Sequence, residues 1–321
     1  MKITVVIVTR NRSNSLKRCL EALVGQTIQP YEIIVVDSSW DNTKEVVLSF
    51  RDRLPVHYIF EKELGRPAAR NRGLKRAKGD IVAFTDDDCQ PFPDWIEQVM
   101  EAHQKYPYAA AIQGWVVSVP RSNHISTIAQ FNFSNGYRDN VINKEAIITS
   151  LENPQTFQTP IFLFRIGTIN SSFKLAILKA LKLRFNPHFK REDEEISKRL
   201  LSHNQKIILH PSIKVYHWER STIKDFLLQR FTYGRERITI RQNWPKGYFP
   251  SRKRFWWVRR GIDFTKFCID NGHGAKLPIL MPLFFVENVI YIGASYYGAI
   301  RLRKYIKLTN IPSSIQKSIA I

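Results

Sequence analysis

The sequence predicts an α/β protein whose central sheet is twisted, mostly parallel and flanked by helices, followed by a basic helical extension. In the first ninety residues, apolar runs rich in β-branched residues alternate with amphipathic stretches, a pattern typical of strands and helices in turn. Each connection between the apolar runs is long enough for a right-handed crossover, so neighbouring strands are expected to be parallel. Ligands of such sheets bind beyond the carboxyl ends of the strands.

Four strands are predicted in this first part, at residues 3–8, 32–36, 56–60 and 81–84. Between the first two, Leu16, Leu20 and Leu23 recur at helical spacing. A polar residue at 13 or 14 and Gly25 are expected to cap the two ends of that helix. The strand ends direct attention to residues 9–12, 37–41 and 86–88.

The rest of the chain contains two regions that differ in composition and in predicted structure. Residues 110–220 mix predicted strands with a helix that begins in an acidic run, and residues 121–140 have no clear period, so a loop facing the substrate is expected there. Residues 221–321 are basic and rich in aromatic residues, a composition suited to anionic surfaces. We therefore expect a catalytic domain over 1–220 and a membrane-associating extension over 221–321.

The extension contains an apolar stretch at 277–300 that is interrupted by Pro282, Glu287 and Asn288. A membrane-spanning helix needs about 20 mostly apolar residues, and a carboxylate near its centre is unfavourable. Cations follow directly at positions 301, 303, 304 and 307. The pattern therefore favours an interfacial or re-entrant pair of helices over a span.

Composition narrows the class of protein and its partners. Of the 321 residues, 44% are hydrophobic, and 49 Lys and Arg against 28 Asp and Glu give a net charge of +21. That charge predicts an anionic partner: a nucleic acid, an acidic membrane surface or a phosphorylated ligand. The three cysteines include no C-x-x-C pair, which argues against a disulfide framework or a structural zinc site and favours a reducing cytoplasm.

Three adjacent carboxylates, Asp86, Asp87 and Asp88, follow the fourth predicted strand in the segment IVAFTDDDCQPFPDW. Their mutual repulsion is unfavourable unless a positive charge lies among them, and Mg²⁺ and Mn²⁺ prefer oxygen ligands. The alternative is a solvated acidic turn in which Asp94 caps the next helix. The position of the cluster at the end of a strand favours a metal site.

Four segments in order resemble the signature of the inverting glycosyltransferases of family 2: VVIVTRNR, PYEIIVVDSSWDNT, ELGRPAARNRGLKRAKGDIVAFTDDDCQPFPDW and REDEEISKRL. The resemblance covers about residues 1–235 and depends on the ordered set rather than on any one piece. It implies the GT-A fold, which binds nucleotide-diphospho-sugars. It also implies transfer of a sugar from such a donor to an acceptor hydroxyl, with Mn²⁺ or Mg²⁺ as cofactor.

The resemblance implies roles for residues on the donor side. Contacts with the nucleotide sugar are implied for eight residues: Thr9, Asn11, Arg12, Asp37, Arg66, Arg70, Asp86 and Asp87. Asp37 would accept a hydrogen bond from the base, although an Asx-turn or a helix cap is the alternative for this residue. Ser38 stands where the family often has a second acidic residue, which leaves the nucleobase open. Arg66 is the first candidate for the diphosphate, and Arg70 the weaker one.

On the metal side, the resemblance implies that Asp86 and Asp88 form the D-x-D pair that holds the cation. His217 would be a third ligand or a diphosphate contact. A histidine beside a tryptophan is otherwise more often a packed residue than a ligand.

For catalysis, the resemblance implies that Asp193 is the general base, with Glu192 beside it. A solvated helix start is the alternative for this acidic run. Acceptor contacts are implied for Asp193 and for Asn170 and Ser171, which lie in a segment that resembles the family's acceptor-side loop.

The expected partners are a nucleotide-diphospho-sugar, with a UDP-sugar first, a glycan or lipid-linked acceptor and an anionic membrane surface. The expected location is the cytoplasmic face of the cell membrane, with the protein peripheral or monotopic. Two rival functions stay open. A nucleic-acid-binding protein would explain the basic tail but not the three aspartates, which repel phosphates without a metal. A metal-dependent nucleotidyltransferase would use the same carboxylates with a different glycine-rich loop.

Overall fold

The structure is a computed structural model that describes residues 1–63, 65–119, 124–138, 140–142, 160–187, 191–218, 222–242 and 256–308. The chain divides into two compact units. The first comprises Met1–Val119 and Gly136–Trp218, and the second comprises Pro120–Asn135 and Glu219–Ile321. The segment 120–135 thus groups with the C-terminal unit, whereas the sequence prediction placed it in the first domain.

Nine strands form one sheet in the first unit. Their bounds are β1 Ile3–Thr9, β2 Glu32–Asp37, β3 Val56–Phe60, β4 Ile81–Asp86, β5 Cys89–Pro91, β6 Ala109–Ser118, β7 Ile161–Phe162, β8 Asn170–Lys174 and β9 Lys206–His217. The order across the sheet is β3-β2-β1-β4-β8-β6-β9-β5, and β7 pairs with β9 off this path.

Ten α-helices are described. Their bounds are α1 Ser13–Val24, α2 Thr43–Leu48, α3 Arg66–Arg76, α4 Trp95–Lys105, α5 His124–Arg138, α6 Leu175–Ala180, α7 Glu192–Ser202, α8 Ile223–Gln242, α9 Trp256–Asp270 and α10 Leu277–Leu308.

The first four strands form the parallel half of the sheet. β1 pairs in parallel with β2 and β4, and β2 pairs in parallel with β3. The apolar residues of β1, β2 and β4 are almost all buried, as expected for strands covered on both faces. The predicted α/β architecture with a central sheet flanked by helices is confirmed.

The sheet reverses direction at β8. This strand is antiparallel to both of its neighbours, β4 and β6, whereas β9 is parallel to β6 and antiparallel to β5 and β7. The expected mostly parallel sheet is therefore correct for the N-terminal half, and the complete sheet is mixed. Apolar periodicity does not report strand direction across long connections, so the reversal left no local signal.

Helix α1 has the predicted buried face and the predicted C-cap residue, Gly25, but not the predicted N-cap. It begins at Ser13, with Arg12 in the N-cap position and no side-chain capping bond. Gly25 follows the last turn with φ −79°, so it does not take the left-handed conformation that often makes glycine the preferred residue there.

The second unit is helical, and part of it corrects a prediction. The sequence predicted a loop over 121–140, but most of this segment forms α5. Buried Phe131 of α5 meets Phe264 of α9 and Phe284 of α10 edge-on, with ring centroids 5.0 and 5.5 Å apart. The period of buried residues is hidden by intervening Ser, Asn and Gly, so this helix depends on packing against distant segments rather than on its own propensity.

The apolar stretch of the tail lies in α10. The helix continues through Pro282, so the predicted interruption into a helix pair is wrong. Within the described residues, Gly274–Ile300 is the one helical stretch long and apolar enough to cross a membrane, judged by length and composition. The side chains of the cations at 301–307 lie outside the described part of the chain.

Candidate active site

Polar residues meet at one edge of the sheet, where three parallel strands end. In the strand register, Thr9 of β1 lies opposite Asp37 of β2, and Val8 lies opposite Asp86 of β4. Ligands of parallel sheets bind beyond the carboxyl ends of the strands, so this edge of the first unit is the expected binding site.

The acidic trio at the end of β4 is held by hydrogen bonds and an arginine from the β1 side. Thr9 Oγ1 donates to Asp87 Oδ2 at 2.7 Å. Arg12 Nη1 lies 3.0 Å from Asp87 Oδ1 and 2.8 Å from Asp88 Oδ2. Burial raises the pKa of Asp87 to about 7, against the opposing effect of Arg12. The positive charge beside this pair of carboxylates thus comes from the loop after β1.

Arg70 of α3 bridges the trio to a second acidic group. Its Nη2 lies 3.1 Å from Asp86 Oδ1, and its Nη1 contacts Glu192 Oε1 at the start of α7. The Arg70 and Glu192 side chains are 1% and 3% exposed, and burial raises the pKa of the Glu192 carboxyl despite the opposing effect of Arg70. Both guanidinium edges of Arg70 already meet carboxylates, so the prediction that Arg70 contacts the donor directly is corrected to an internal bridge.

Arg66 remains on the open side of this bridge. Its side chain is 55% exposed, and its Nε lies 3.8 Å from Glu192 Oε1. One turn separates Arg66 from Arg70 on α3, yet the two residues have opposite environments. Helical phase does not distinguish them, because residues four apart lie on the same face; the difference is position along the helix, since Arg66 is the first residue of α3 and Arg70 precedes the buried residues Gly73 and Leu74.

Asp193 is the partly accessible carboxylate of the acidic helix start. It follows Glu192 in α7 and is intermediate in burial, whereas Glu192 and Glu194 are buried. Its Oδ1 accepts a hydrogen bond from the backbone N–H of Glu194 at 2.9 Å. Glu194 is separately paired with Arg165 at 2.9 Å. Of the first two acids, Asp193 is therefore the one whose side chain reaches solvent.

The end of β2 forms a second, adjoining group. Asp37 is buried; its Oδ1 accepts from the Ser39 N–H and its Oδ2 from the Tyr58 hydroxyl, each at 2.9 Å. The Asx-turn considered for Asp37 is thus present. Sequence reasoning missed Tyr58, whose pKa is raised by burial and by this carboxylate. The available signal was its position two residues after buried Val56, on the same face of β3.

The loops after β1 and β2 are tied to each other through Asn11. This residue has φ 54°, a left-handed conformation that asparagine tolerates better than most residues. Its N–H donates to Ser39 Oγ at 2.6 Å, and its side-chain oxygen accepts from the Trp40 N–H at 3.1 Å. The Trp40 side chain is strongly exposed, with the Arg10 guanidinium 4.8 Å from the ring centroid. Trp40 is a second exposed feature of this edge that the sequence did not single out.

His217 lies beside the trio, as the resemblance implied. It pairs with Cys89 across β9 and β5, and its Nε2 is 3.6 Å from Asp88 Oδ1. That Asp88 oxygen is buried and makes no hydrogen bond. Among the described residues, no three His, Cys, Asp or Glu side chains are grouped closely enough to enclose a metal ion alone. An unsatisfied carboxylate oxygen facing an imidazole nevertheless fits one side of an open cation site.

Asn170 and Ser171 require a correction. The sequence placed them in an acceptor-side loop, but they begin β8 and are buried in the sheet. Asn170 Oδ1 accepts from Trp95 Nε1 at 2.9 Å, and its Nδ2 donates to the carbonyls of Trp115 and Ile213. The polar atoms of Asn170 are used internally, so this residue holds the sheet together and is not placed to bind an acceptor. Ser171 is buried in the same strand, and its hydroxyl makes no hydrogen bond with any described residue, so burial alone removes it from the surface that an acceptor would reach.

Sequence comparisons give matches over most of the chain. The family model described as "Glycosyl transferase family 2" matches residues 4–167. Glycosyltransferase GlyA of Streptococcus pneumoniae is 26% identical over 294 residues, which are 86% of this chain and 39% of that protein. Validoxylamine A glucosyltransferase of Streptomyces hygroscopicus is 36% identical over 128 residues, 38% of this chain and 28% of that protein. The chain thus spans well under half the length of these curated relatives.

Solved structures give matches over nearly the whole chain at low identity. A mannosyltransferase from Pyrobaculum calidifontis, solved with GDP-Man and Mn²⁺, is 18% identical with a TM-score of 0.58, over 92% of this chain and 86% of that one. S. aureus TarS 1–349, solved with UDP-GlcNAc, is 17% identical with a TM-score of 0.54, over 95% and 92%. At these identities the likeness shows the fold.

Proposed function

The chain belongs to glycosyltransferase family 2 and has the GT-A fold, and from that premise we propose that it transfers a sugar from a nucleotide-diphospho-sugar to an acceptor hydroxyl, with inversion at the anomeric carbon. The observation that supports this most is the charged connection from Asp86 through Arg70 to Glu192, which adjoins Asp193. It connects Asp86, which is suited to bind a cation beside a diphosphate, with the helix start that carries Asp193, which is suited to accept a proton.

The donor nucleotide is assigned to the edge formed by the loops after β1 and β2. Asp37 has two oxygens that each retain a second lone pair, so it can accept a further hydrogen bond from a base N–H. Hydrogen bonds of Thr9, Asn11 and Arg12 fix the loops that surround this proposed nucleotide site. Solved relatives by fold bind UDP-GlcNAc or GDP-Man, and a UDP-sugar is our first expectation for this chain.

A divalent cation, Mn²⁺ or Mg²⁺, is assigned to Asp86 and Asp88, with His217 beside it. The bare buried oxygen of Asp88 supports this assignment. When bound, such an ion neutralises negative charge on a diphosphate leaving group. The remaining ligands would come from the diphosphate and water, because these cations keep open positions for phosphate oxygens.

Arg66 is assigned to the diphosphate leaving group, and Asp193 is assigned to the acceptor hydroxyl. The exposed guanidinium of Arg66 can meet phosphate oxygens as negative charge grows on the leaving group. Asp193 accepts the proton of the acceptor hydroxyl as its oxygen attacks from the face opposite the leaving group. Glu192 positions both groups: it lies beside Arg66 and Arg70 in space and directly precedes Asp193 in the chain.

The acceptor is assigned to the membrane surface. The basic composition of residues 221–321 and the apolar length of α10 support an enzyme held at an anionic bilayer, where it would extend a glycan or a lipid-linked acceptor from the cytoplasmic side. Each well-placed cation contributes about 1 kcal/mol to such binding.

The test is nucleoside diphosphate release from a panel of nucleotide sugars with Mn²⁺, beside an Asp88→Asn variant. Release from one sugar nucleotide that depends on the cation and falls in the variant is expected. A nucleotidyltransferase would instead release pyrophosphate from a nucleoside triphosphate. A melting temperature raised by duplex DNA but not by Mn²⁺ with UDP would favour the nucleic-acid-binding alternative and contradict the proposal.

A further inference from the structure

We propose that α10 lies in the plane of an anionic membrane surface, with one face inserted among the lipids, and does not cross the bilayer. The inference rests on the membrane association in the proposed function and goes further by identifying the inserted face and its orientation. It is carried by the packing of the second unit.

The outward face of α10 is apolar over its whole apolar stretch. Its large exposed hydrophobic residues are Ile279, Phe285, Val286, Val289, Tyr296, Tyr297 and Ile300. At about 100° per residue, all seven fall within an arc of about 120°. Phe285 is 65% and Tyr296 70% exposed. Large apolar groups concentrated along one face mark an interaction surface rather than an ordinary water-facing one.

The opposite face of α10 is fixed to the other helices of the unit. Leu280, Phe284, Glu287 and Ala294 are buried there. Phe284 stacks on Phe264 of α9 with ring centroids 4.2 Å apart. The exposed stripe therefore faces away from the other helices of the second unit, and rotation of α10 to hide it would pull the packed face apart.

Helix α8 packs alongside α10, with contacts from residues 230–235 of α8 to residues 287–298 of α10. Arg230 of α8 forms an ion pair with Glu287, Gly234 lies against the backbone of Tyr291, and Arg235 lies against Gly298. Successive contacts advance along both helices in the same direction. Any path that α10 takes through a bilayer must therefore also be taken by α8.

The composition of α8 excludes such a path. Its sequence, IKDFLLQRFTYGRERITIRQ, contains charged residues throughout, and drawing them into hydrocarbon is strongly unfavourable. An in-plane arrangement leaves α8 on the aqueous side while the stripe of α10 enters the region of the headgroups and the upper acyl chains. That is the arrangement of amphipathic interfacial helices.

The flanking charges identify the partner as a bilayer with anionic lipids. Lys276 precedes α10, and cations at 301, 303, 304 and 307 follow the stripe in the sequence. Such clusters favour acidic headgroups, and tyrosines such as Tyr296 and Tyr297 suit the interface between headgroups and hydrocarbon. A second copy of this chain would bring two surfaces of net positive charge together, which is unfavourable.

Depth measurements on variants of the full chain with one added cysteine each test the orientation. The native cysteines Cys19, Cys89 and Cys268 are buried, so I279C, V289C and I300C can be labelled selectively with a fluorophore. The labelled proteins are bound to phosphatidylcholine vesicles with or without phosphatidylglycerol, and quenched by lipids spin-labelled at two depths. An in-plane helix gives three similar, shallow depths, and binding that requires phosphatidylglycerol.

A spanning helix would instead place the label at 289 near the bilayer centre and those at 279 and 300 near opposite surfaces, because Ile279 and Ile300 are separated by about 30 Å along the axis, and that result would overturn the proposal. Unquenched labels together with concentration-dependent dimerisation would overturn it in favour of a second copy. Phe285→Glu should weaken vesicle binding at least tenfold, whereas Tyr31→Glu, at an exposed aromatic position of the first unit, should not. Nucleoside diphosphate release without vesicles should be unchanged in both variants, so failure here is distinguishable from failure of the proposed function.

Discussion

The two units use the oxygens of arginine-bound carboxylates in opposite ways. At the edge of the sheet, Asp88 contacts Arg12 through one oxygen, while its other oxygen is buried without a hydrogen bond. In the helical unit, Glu287 is fully buried; one oxygen meets Arg230 and Asn132 of α5, and the other accepts from Asn288. The first carboxylate has unused capacity, and the second has both oxygens engaged.

This difference distinguishes a carboxylate suited to bind a ligand from one that stabilises the fold. A buried polar atom without a partner is unfavourable, and it persists where a ligand supplies the missing contact. A buried carboxylate with both oxygens engaged instead fixes the arrangement of helices, and removing one partner of such an ion pair is strongly destabilising. Substitutions at the sheet edge should therefore change turnover with little effect on folding, and those around Glu287 should do the reverse.

The largest effect is expected from Asp193→Asn at the sheet edge. Loss of the proton acceptor should reduce sugar transfer by about 10²–10⁴-fold, while Mn²⁺ and UDP binding and the melting temperature stay unchanged. Transfer kinetics, calorimetric titration and thermal unfolding measure the three quantities. Glu195→Gln, in the same turn of α7, is the matched control, and normal turnover by the Asp193→Asn variant would refute the assignment of the base.

The next effect is expected from Glu287→Ala in the helical unit. It leaves Arg230 buried without a counter-charge and should lower the free energy of unfolding by about 3–5 kcal/mol. Solution turnover of the protein that remains folded should be retained. Denaturant unfolding followed by circular dichroism measures the change. The double variant Arg230→Met with Glu287→Leu should recover most of the loss, and a double variant no more stable than Glu287→Ala would contradict a pair that acts as a unit.

A smaller effect is expected from Arg70→Lys. An ammonium cannot contact Asp86 and Glu192 through two planar edges as a guanidinium does. Residues that orient a site in this way typically change activity by about 10–100-fold, and the fall should be in kcat more than in KM for the donor. Arg72→Lys is the control on the same helix, since Arg72 is half-exposed. Equal effects of the two substitutions would remove the positioning role.

The effect that is smallest near neutral pH concerns a buried histidine away from the acidic trio. His103 lies under the sheet with Nε2 2.9 Å from Ser172 Oγ, and burial lowers its pKa from 6.5 to about 3. As pH falls, the unfolded chain therefore binds a proton first. The contribution to stability is full above pH 6.5 and should fall by about 1.4 kcal/mol per pH unit as pH decreases from about 6 towards 3.

The substitution His103→Gln should flatten that acid slope in urea titrations at several pH values, while keeping a polar contact near Ser172. His210, whose pKa burial lowers to about 4, contributes in the same direction and remains in the variant. An unchanged slope in the His103→Gln variant would show that His103 is protonated at no cost in the folded state.

The part of the site that could be predicted is the part encoded locally. A buried β-branched run followed at once by Asp86–Asp88 specifies a strand and its acidic end within one short segment. The same holds for β1 with Thr9 and β2 with Asp37, because the carboxyl ends of parallel strands necessarily meet at one edge. The expected family, fold and strand positions follow from such short-range patterns.

The rest depended on contacts between distant segments. Arg70 and Glu192 are 122 residues apart, and no local pattern distinguishes their buried pairing from a surface arginine and a solvated helix start. The strand at Asn170 reads as polar and loop-like, yet pairing on both sides and a hydrogen bond from Trp95 satisfy it in the interior. Polar residues that are buried because their partners lie far along the chain are where sequence patterns give the wrong answer.

The close approach of α8 and α10 has a consequence for how the molecule tolerates change. A methyl group on Gly234 would lie 2.3 Å from the Tyr291 carbonyl oxygen, and one on Gly298 would lie 2.3 Å from that of Arg235. Because neither contact leaves room for a methyl group, the rotation of α10 about its own axis is set by one glycine on each helix rather than by the residues that α10 exposes. Substitutions of the exposed side chains of α10 can then change what the helix binds without changing its orientation.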